Sequence, residues 1–227
     1  MTKNNNEAHH IHRMIEVTTL QQEAIEFFLN EDVLRFGEFT LKSGRRSPYY
    51  FNTGVLSNAR QLKRMGELYA RMIQSVAVFN NANVVFGSAY KGIPISVATA
   101  IALADTDLSD IRAVSDRKEA KTHGDSGSFL GVITKGDSVV IVDDVIATGG
   151  TKLEALEKLR QIDCEPLGLI IAFDRAEPAE GSTMTAKESF EKISGLPVYA
   201  LATVHDVAAI RPEFTPLLDS YLAQFKK

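Results

Sequence analysis

The sequence predicts an α/β domain, a parallel sheet covered by helices on both faces, with a small N-terminal hood. Three observations carry this. Short apolar runs rich in Val, Ile and Leu, above all Val139–Val142 and Leu167–Phe173, read as strands buried on both faces. Between such runs lie stretches with apolar residues at helical spacing, as in Leu153, Leu156, Leu159 and Ile162. The two patterns alternate along the chain, which is the rhythm of βαβ units. The length of 227 residues and the hydrophobic share of 44% allow one sizeable core, without an internal repeat or low-complexity linker to divide it.

The elements follow in order. Residues 1–13 are polar, rich in Asn and His, and read as a loose tail; His9, His10 and His12 have no further metal-ligand types near them at ligand spacing. The domain proper is expected over 14–227. Leu20–Leu29 has helical spacing through Ala24, Phe27 and Phe28. Gly37 to Gly54, with aromatics at Tyr49–Phe51, is too polar for a core and reads as an aromatic loop that completes the hood with that helix. Asn58–Val78 returns to helical spacing through Leu62, Met65, Leu68, Tyr69 and Met72. Val84–Phe86 is a buried-type strand ending in Gly87-Ser88, and Gly92 and Pro94 open a helix to about Leu103. Arg112–Ser115 reads as a strand and Asp116–Ser128 as a charged, mobile loop. Ser138–Val142 is the clearest strand and Thr151–Ile162 the clearest helix, with Glu154 and Lys158 at i,i+4. Leu167–Phe173 and Val198–Val204 are strands flanking a helix near Thr185–Ser194, and Phe214–Phe225 closes the chain as a helix.

Composition excludes several classes. Lys+Arg is 25 against Asp+Glu 29, a net charge of −4, so the broad positive field of a general nucleic-acid binder is missing. A single cysteine, Cys164, rules out an intrachain disulfide and reads as a filler at the end of the Thr151–Ile162 helix. The apolar runs are far too short to span a membrane, and the start of the chain has no apolar signal core. A cytoplasmic protein that engages neither membrane nor nucleic acid is the expectation. His205-Asp206 reads as a cap before Val207–Ile210 rather than as a catalytic dyad.

The segment that carries chemistry runs from Val139 to Thr151. A buried strand ends at Asp143-Asp144, a loop of small residues follows (Val145, Ile146, Ala147, Thr148, Gly149, Gly150), and a helix starts near Thr151. Ligands of open α/β sheets bind at the carboxyl ends of the strands. Gly149 and Gly150 let backbone N–H groups turn toward an anion, and the helix N-terminus adds its dipole. Thr148 and Thr151 add hydroxyl donors. The loop is thus a cradle for a phosphate monoester. Two carboxylates would repel bare phosphate, so Asp143 and Asp144 make sense facing sugar hydroxyls or a divalent cation; left without a partner they would cost desolvation. Neither a Walker A loop nor GxGxxG is present, which disfavours nucleoside triphosphates and NAD.

Val139–Thr151 resembles the phosphoribosyl-diphosphate motif of type I phosphoribosyltransferases. Three further stretches are similar to the orotate branch of that family: Phe39–Asn52, Phe86–Pro94 with Tyr90-Lys91-Gly92, and Arg117–Gly124 with Lys118, Lys121 and His123. The resemblance implies a single-domain type I phosphoribosyltransferase fold and transfer of ribose 5-phosphate from phosphoribosyl diphosphate to orotate, with magnesium on the diphosphate and ribose hydroxyls. It implies that Tyr90, Lys91, Arg117, Lys118, Lys121 and His123 meet the diphosphate, that Asp143, Asp144 and residues 145–151 hold the ribose phosphate, and that Lys121, His123, Asp143 and Asp144 are the catalytic set. It maps orotate onto Tyr50, Phe51 and Arg175, and Lys42 onto both substrates. It also implies a homodimer with shared sites, Lys118 reaching the partner's.

The residues agree with these roles. Arg117, Lys118 and Lys121 would pass for a solvated loop by themselves, but beside a diphosphate leaving group they match a charge that grows as the glycosidic bond breaks. Orotate, planar and anionic, needs a flat slot and donors. The aromatics at 49–51 supply surface, and Arg175 supplies a planar fork for ring oxygens unless it pairs with Asp174 or Glu177. One departure stands out: Ala147 replaces a threonine common in orotate enzymes, and Ala147-Thr148-Gly149-Gly150 is a form more usual in purine enzymes. Ala147 is therefore expected to meet the base through its backbone. A phosphoribosyl-diphosphate-sensing regulator would lack the cationic loop and carry a basic DNA-binding appendage, and a flavodoxin-like carrier would have no use for Asp143-Asp144.

Overall fold

A computed structural model of the chain describes residues 19–41, 43–117, 128–147 and 149–225. The expected tail, Lys42, Lys118, Lys121, His123 and Thr148 lie outside the described residues.

The first described helix, α1 (19–30), leads into an antiparallel hairpin, β1 (Leu34–Thr40) and β2 (Arg46–Phe51). Next come α2 (Ala59–Ser75), β3 (Val84–Gly87), α3 (Gly92–Leu103), β4 (Arg112–Asp116) and the two-residue β5 (Phe129–Leu130). The second half holds β6 (Ser138–Asp143), α4 (Gly150–Gln161), β7 (Glu165–Asp174), α5 (Ala186–Ser194), β8 (Val198–Thr203), α6 (Val204–Ile210) and α7 (Thr215–Ala223). Six strands form the central sheet in the order β5-β4-β3-β6-β7-β8. All its pairings are parallel except that of the edge strand β5 with β4.

Alternation along each strand divides the core between the two faces. Val85, Val140, Val142, Ile170 and Ala172 face α1, α2 and the hood. Val84, Val139, Ile141, Leu169 and Ile171 face α4 and α5. This is the period-two geometry of a pleated strand buried on both sides. Each fully buried Val, Leu or Ile contributes roughly 1.5–3 kcal/mol by transfer from water, so the continuous apolar runs are the source of the sheet's stability.

The hood differs from the expected aromatic loop. Arg46–Phe51 alternates Ser47, Tyr49 and Phe51 inward with Arg46, Pro48 and Tyr50 outward. A serine inside and an aromatic outside disguise that period in the sequence. The helix expected to reach Val78 stops at Ser75, and a short 3-10 turn, Ala77–Phe79, follows. The turn buries Phe79 fully, edge-on to Tyr199 at 5.3 Å. His205-Asp206 is not the cap. Helix α6 starts at Val204, Thr203 caps it, and the Asp206 carboxylate accepts from the Thr203 backbone N–H at 2.8 Å. Cys164 is a buried filler whose thiol donates to the Thr134 carbonyl at 3.3 Å.

Candidate active site

The carboxyl ends of β3, β4, β6 and β7 open on one edge of the sheet, the place where such sheets bind ligands. At the end of β6, Asp143 and Asp144 are both buried. Asp143 Oδ1 accepts the Asp144 N–H at 2.8 Å, and its Oδ2 pairs with Lys152 Nζ at 2.6 Å. Asp144 Oδ1 accepts the Val145 N–H at 2.8 Å, and its Oδ2 pairs with Lys91 Nζ at 2.6 Å. The partners that two adjacent acids require are therefore two lysines, Lys152 from helix α4 and Lys91 from the turn before α3.

Lys152 was not expected. Its side chain is 7% exposed and that of Asp143 8%. The buried stripe of α4 is Lys152, Ala155, Leu156 and Leu159, spaced i, i+3, i+4, i+7; the sequence reading put Leu153 on that stripe instead. The signal was present, since Lys152 lies on the face of Leu156 and Leu159, but a lysine next to a loop reads as solvated. Burial raises the Asp143 pKa, the Lys152 charge works against that rise, and the Asp144 charge adds to it. Behind the pair, the Tyr69 hydroxyl donates to the Asp143 carbonyl at 2.7 Å. Burial, then the charges of Asp144 and Asp143, push this phenol far up, so it stays a donor.

After Asp144 the chain turns into α4. The Asp144 carbonyl accepts the N–H groups of Ala172 and Phe173 at 2.9 and 3.1 Å, which pins the loop to β7. Gly149 has φ +77°, a conformation that favours glycine, and its carbonyl accepts the first intrahelical bonds of α4. The N–H groups of Gly150 and Thr151, preceding those bonds, have no acceptor within the helix. Val145 and Gly150 are half-buried, Ile146 is buried, and Ala147 and Thr151 are exposed.

The β3–α3 turn lies beside it. A Cβ on Gly87 would sit 2.0 Å from the Gly92 carbonyl oxygen, so the turn closes only with glycine at 87. The turn carries Tyr90, 68% exposed, and Lys91. The Ala89 N–H donates to Asp116 Oδ1 at 2.7 Å, which ties this turn to the end of β4. Arg117 follows β4. Among the described residues its Nη1 is buried without a hydrogen-bond partner, as is Ser88 Oγ in the turn. Buried polar atoms are ordinarily satisfied, and both of these belong to stretches matched to the diphosphate.

On the other side of the cradle is a cavity of about 380 Å³. Its wall includes Arg45, Tyr50, Phe51, Ala147, Arg175 and Glu177. Four of the five expected base contacts thus come together from the hood, the phosphate loop and the end of β7; the fifth, Lys42, lies outside the described residues. The Phe51 ring lies flat on Phe173 at 4.9 Å and edge-on to Phe28, leaving Tyr50 as the more accessible aromatic wall. Arg175 pairs with Glu177, one of the two partners anticipated for it, and its Nη2 lies 2.6 Å from Glu177 Oε1. Among the described residues no three His, Cys, Asp or Glu side chains converge in a metal cage, and no helix is long and apolar enough to cross a membrane.

Residues 53–202 match the family model of the phosphoribosyl transferase domain. An orotate phosphoribosyltransferase of Methylococcus capsulatus is 45% identical over 183 residues, 81% of this chain and 84% of the relative. One from Bifidobacterium longum is 40% identical over 217 residues, 91% and 94% of the two chains. The crystal structure of the Francisella tularensis orotate phosphoribosyltransferase superposes with a TM-score of 0.74 at 35% identity, covering 83% of this chain and 89% of that one.

Proposed function

The chain belongs to the orotate phosphoribosyltransferase family, and from that premise we propose how its residues move ribose 5-phosphate from phosphoribosyl diphosphate to orotate. The bond from the anomeric carbon to diphosphate breaks and a bond to a pyrimidine nitrogen forms, giving orotidine 5′-phosphate. The observation that supports this best is the juxtaposition at one sheet edge. A phosphate cradle at 145–151 is flanked by the Tyr90-Lys91 turn on one side and by the Tyr50, Phe51, Ala147 and Arg175 cavity on the other.

The cradle holds the 5′-phosphate through the first N–H groups of α4, with Thr148 and Thr151 hydroxyls beside them. Asp144 and Asp143 take the ribose hydroxyls and face the positive charge that develops at the anomeric carbon. Lys91 leaves Asp144 for the arriving diphosphate, where Tyr90, Arg117, Lys118 and Lys121 join it, and His123 stabilises a leaving oxygen. Orientation and charge neutralisation supply most of the acceleration, because the leaving group needs little covalent help. Magnesium would be held by diphosphate and ribose oxygens beside the Asp144 carboxylate that Lys91 vacates, and would neutralise charge there, while Asp143 keeps its pairing with Lys152. Lys42 reaches both substrates. We place residues 14–227 in one catalytic domain, working in the cytoplasm.

A homodimer completes the reading. Helix α3 carries no charged side chain, yet leaves Ile101 70% and Val97 46% exposed, four residues apart on one face. A helix of that kind is ordinarily buried. We assign that face to a second copy of the chain, and the sharing of sites through Lys118 follows from the resemblance. Loss of orotate absorbance on adding phosphoribosyl diphosphate and magnesium tests the reaction, and no loss with orotate but turnover of adenine or hypoxanthine would overturn the choice of base. Hybrids of Lys118→Ala and Asp144→Asn chains should regain activity that neither parent has; no recovery would remove the shared site.

A further inference from the structure

Glu177 is a buried carboxylate, 7% exposed, at the back of the base cavity. Its Oε1 accepts from Arg175 Nη2 at 2.6 Å, Arg175 Nε at 2.9 Å, the Tyr221 hydroxyl at 2.8 Å and the Tyr49 hydroxyl at 3.3 Å. Its Oε2 accepts from Arg45 Nη1 at 2.8 Å. One side chain thus ties together the hairpin turn (Arg45), strand β2 (Tyr49), the segment after β7 (Arg175) and the C-terminal helix α7 (Tyr221).

The effect on Arg175 is specific. A guanidinium carries five N–H groups in a rigid fork. Nε–H is engaged by Glu177, and Nη2 donates both to Glu177 and to Ser47 Oγ, the latter at 3.0 Å. The plane of the group is set by the Tyr49 ring, whose centroid lies 4.3 Å from the guanidinium carbon. What remains is Nη1, which makes no hydrogen bond among the described residues. The planar fork expected for the ring oxygens of the base is therefore turned toward Glu177, and a single nitrogen is left for a ligand.

We propose that Glu177 is a positioning residue for the base: it engages two of the three guanidinium nitrogens of Arg175 so that Nη1 alone is presented, in one orientation, to an oxygen of the pyrimidine. The inference rests on the base lying in the cavity beside Arg175. A side chain that could swivel would offer any of its N–H pairs to any acceptor. One clamped by three hydrogen bonds and a ring face offers one donor pair, and a displacement of about 1 Å in such a contact can cost up to 10²-fold. The clamp extends to the C-terminal helix and to Phe225 just beyond it. Tyr221 of α7 donates to Glu177, and the Arg45 guanidinium rests 4.9 Å from the Phe225 ring centroid.

The test separates the two substrates. For Glu177→Ala the orotate KM should rise about 30-fold, and for Glu177→Gln, which keeps one acceptor oxygen, about 5-fold, with the KM for phosphoribosyl diphosphate within about twofold in both. Tyr221→Phe removes one donor to Glu177 from outside the cavity and should raise the orotate KM about threefold, again selectively. If Glu177→Ala fails to fold, the Gln and Tyr221 variants carry the test. An orotate KM unchanged in all the variants that fold, or KM values for both substrates rising by a common factor, overturns the proposal. Arg175→Lys is the control for its premise. If Arg175→Lys weakens orotate binding while the Glu177 variants do not, the positioning role alone is lost. If Arg175→Lys is also silent, the base does not lie beside Arg175.

Discussion

Replacing Lys152 by methionine removes the cation opposite Asp143 while roughly conserving volume. The two side chains are 7% and 8% exposed and their charged atoms are 2.6 Å apart, so solvent cannot take over the lost contact. Breaking a buried pair by removing one partner costs about 3–5 kcal/mol, since the remaining charge stays buried without compensation. Asp143 can escape part of that cost by binding a proton. Burial already raises its pKa, and losing the lysine, which opposes the rise, raises it further. The sign follows: an acid whose folded pKa lies above its unfolded value loses stability as pH rises through the folded pKa. The variant should therefore be destabilised more at pH 8 than at pH 5. The chain has no tryptophan, so urea unfolding is best followed by far-ultraviolet circular dichroism. Adding Asp143→Asn should recover part of the loss, giving a coupling energy of about 2 kcal/mol or more in a double-mutant cycle. A loss below about 1 kcal/mol at pH 8, or strict additivity, would refute the reasoning.

Three further outcomes follow from other contacts. Lys91→Met should raise the KM for phosphoribosyl diphosphate at least about tenfold, yet lower stability far less than Lys152→Met, because its side chain is 43% exposed and its pairing with Asp144 is screened; steady-state kinetics and urea melts read the two effects. Gly87→Ala would place a methyl group 2.0 Å from the Gly92 carbonyl oxygen, a backbone atom that cannot rotate away, and the expected loss of about 3 kcal/mol or more should appear as a lowered urea midpoint. Asp137 is buried, which raises its pKa, but Arg112 at 2.6 Å and the Thr134 N–H outweigh burial and hold it below the ordinary carboxylate range. Its contribution is present above the unfolded value near 4 and is lost as pH falls below it, so Arg112→Met should flatten the drop in urea midpoint between about pH 5 and pH 3.

Much of the molecule is legible from residues close together in the chain. Val139–Val142 has to be a strand because its apolar residues serve both faces, and the loop from Asp143 to Thr151 contains within itself the acids, the glycine turn and the helix start of a phosphate cradle. The helices at 59–75 and 150–161 announce themselves by spacing and by caps such as Asn58 with Gln61. The hood was harder. The alternation of Ser47, Tyr49 and Phe51 against Arg46, Pro48 and Tyr50 is not an alternation of hydrophobicity, so the hairpin emerges only when β1 pairs with β2.

What sequence order alone could determine was the set of groups available: a phosphate loop, a cationic stretch, an aromatic segment and Arg175. What tertiary structure decided was which of these are already engaged. Arg45 reaches Glu177 across 132 residues and Lys91 reaches Asp144 across 53. Lys152 is turned inward onto Asp143, and Arg175 is turned onto a buried carboxylate. Periodicity and propensity report local backbone preference and which face of an element is apolar. The partner of a buried charge is chosen instead by desolvation, which is felt only once strands distant in the chain have brought opposite charges to the same water-poor edge of the sheet.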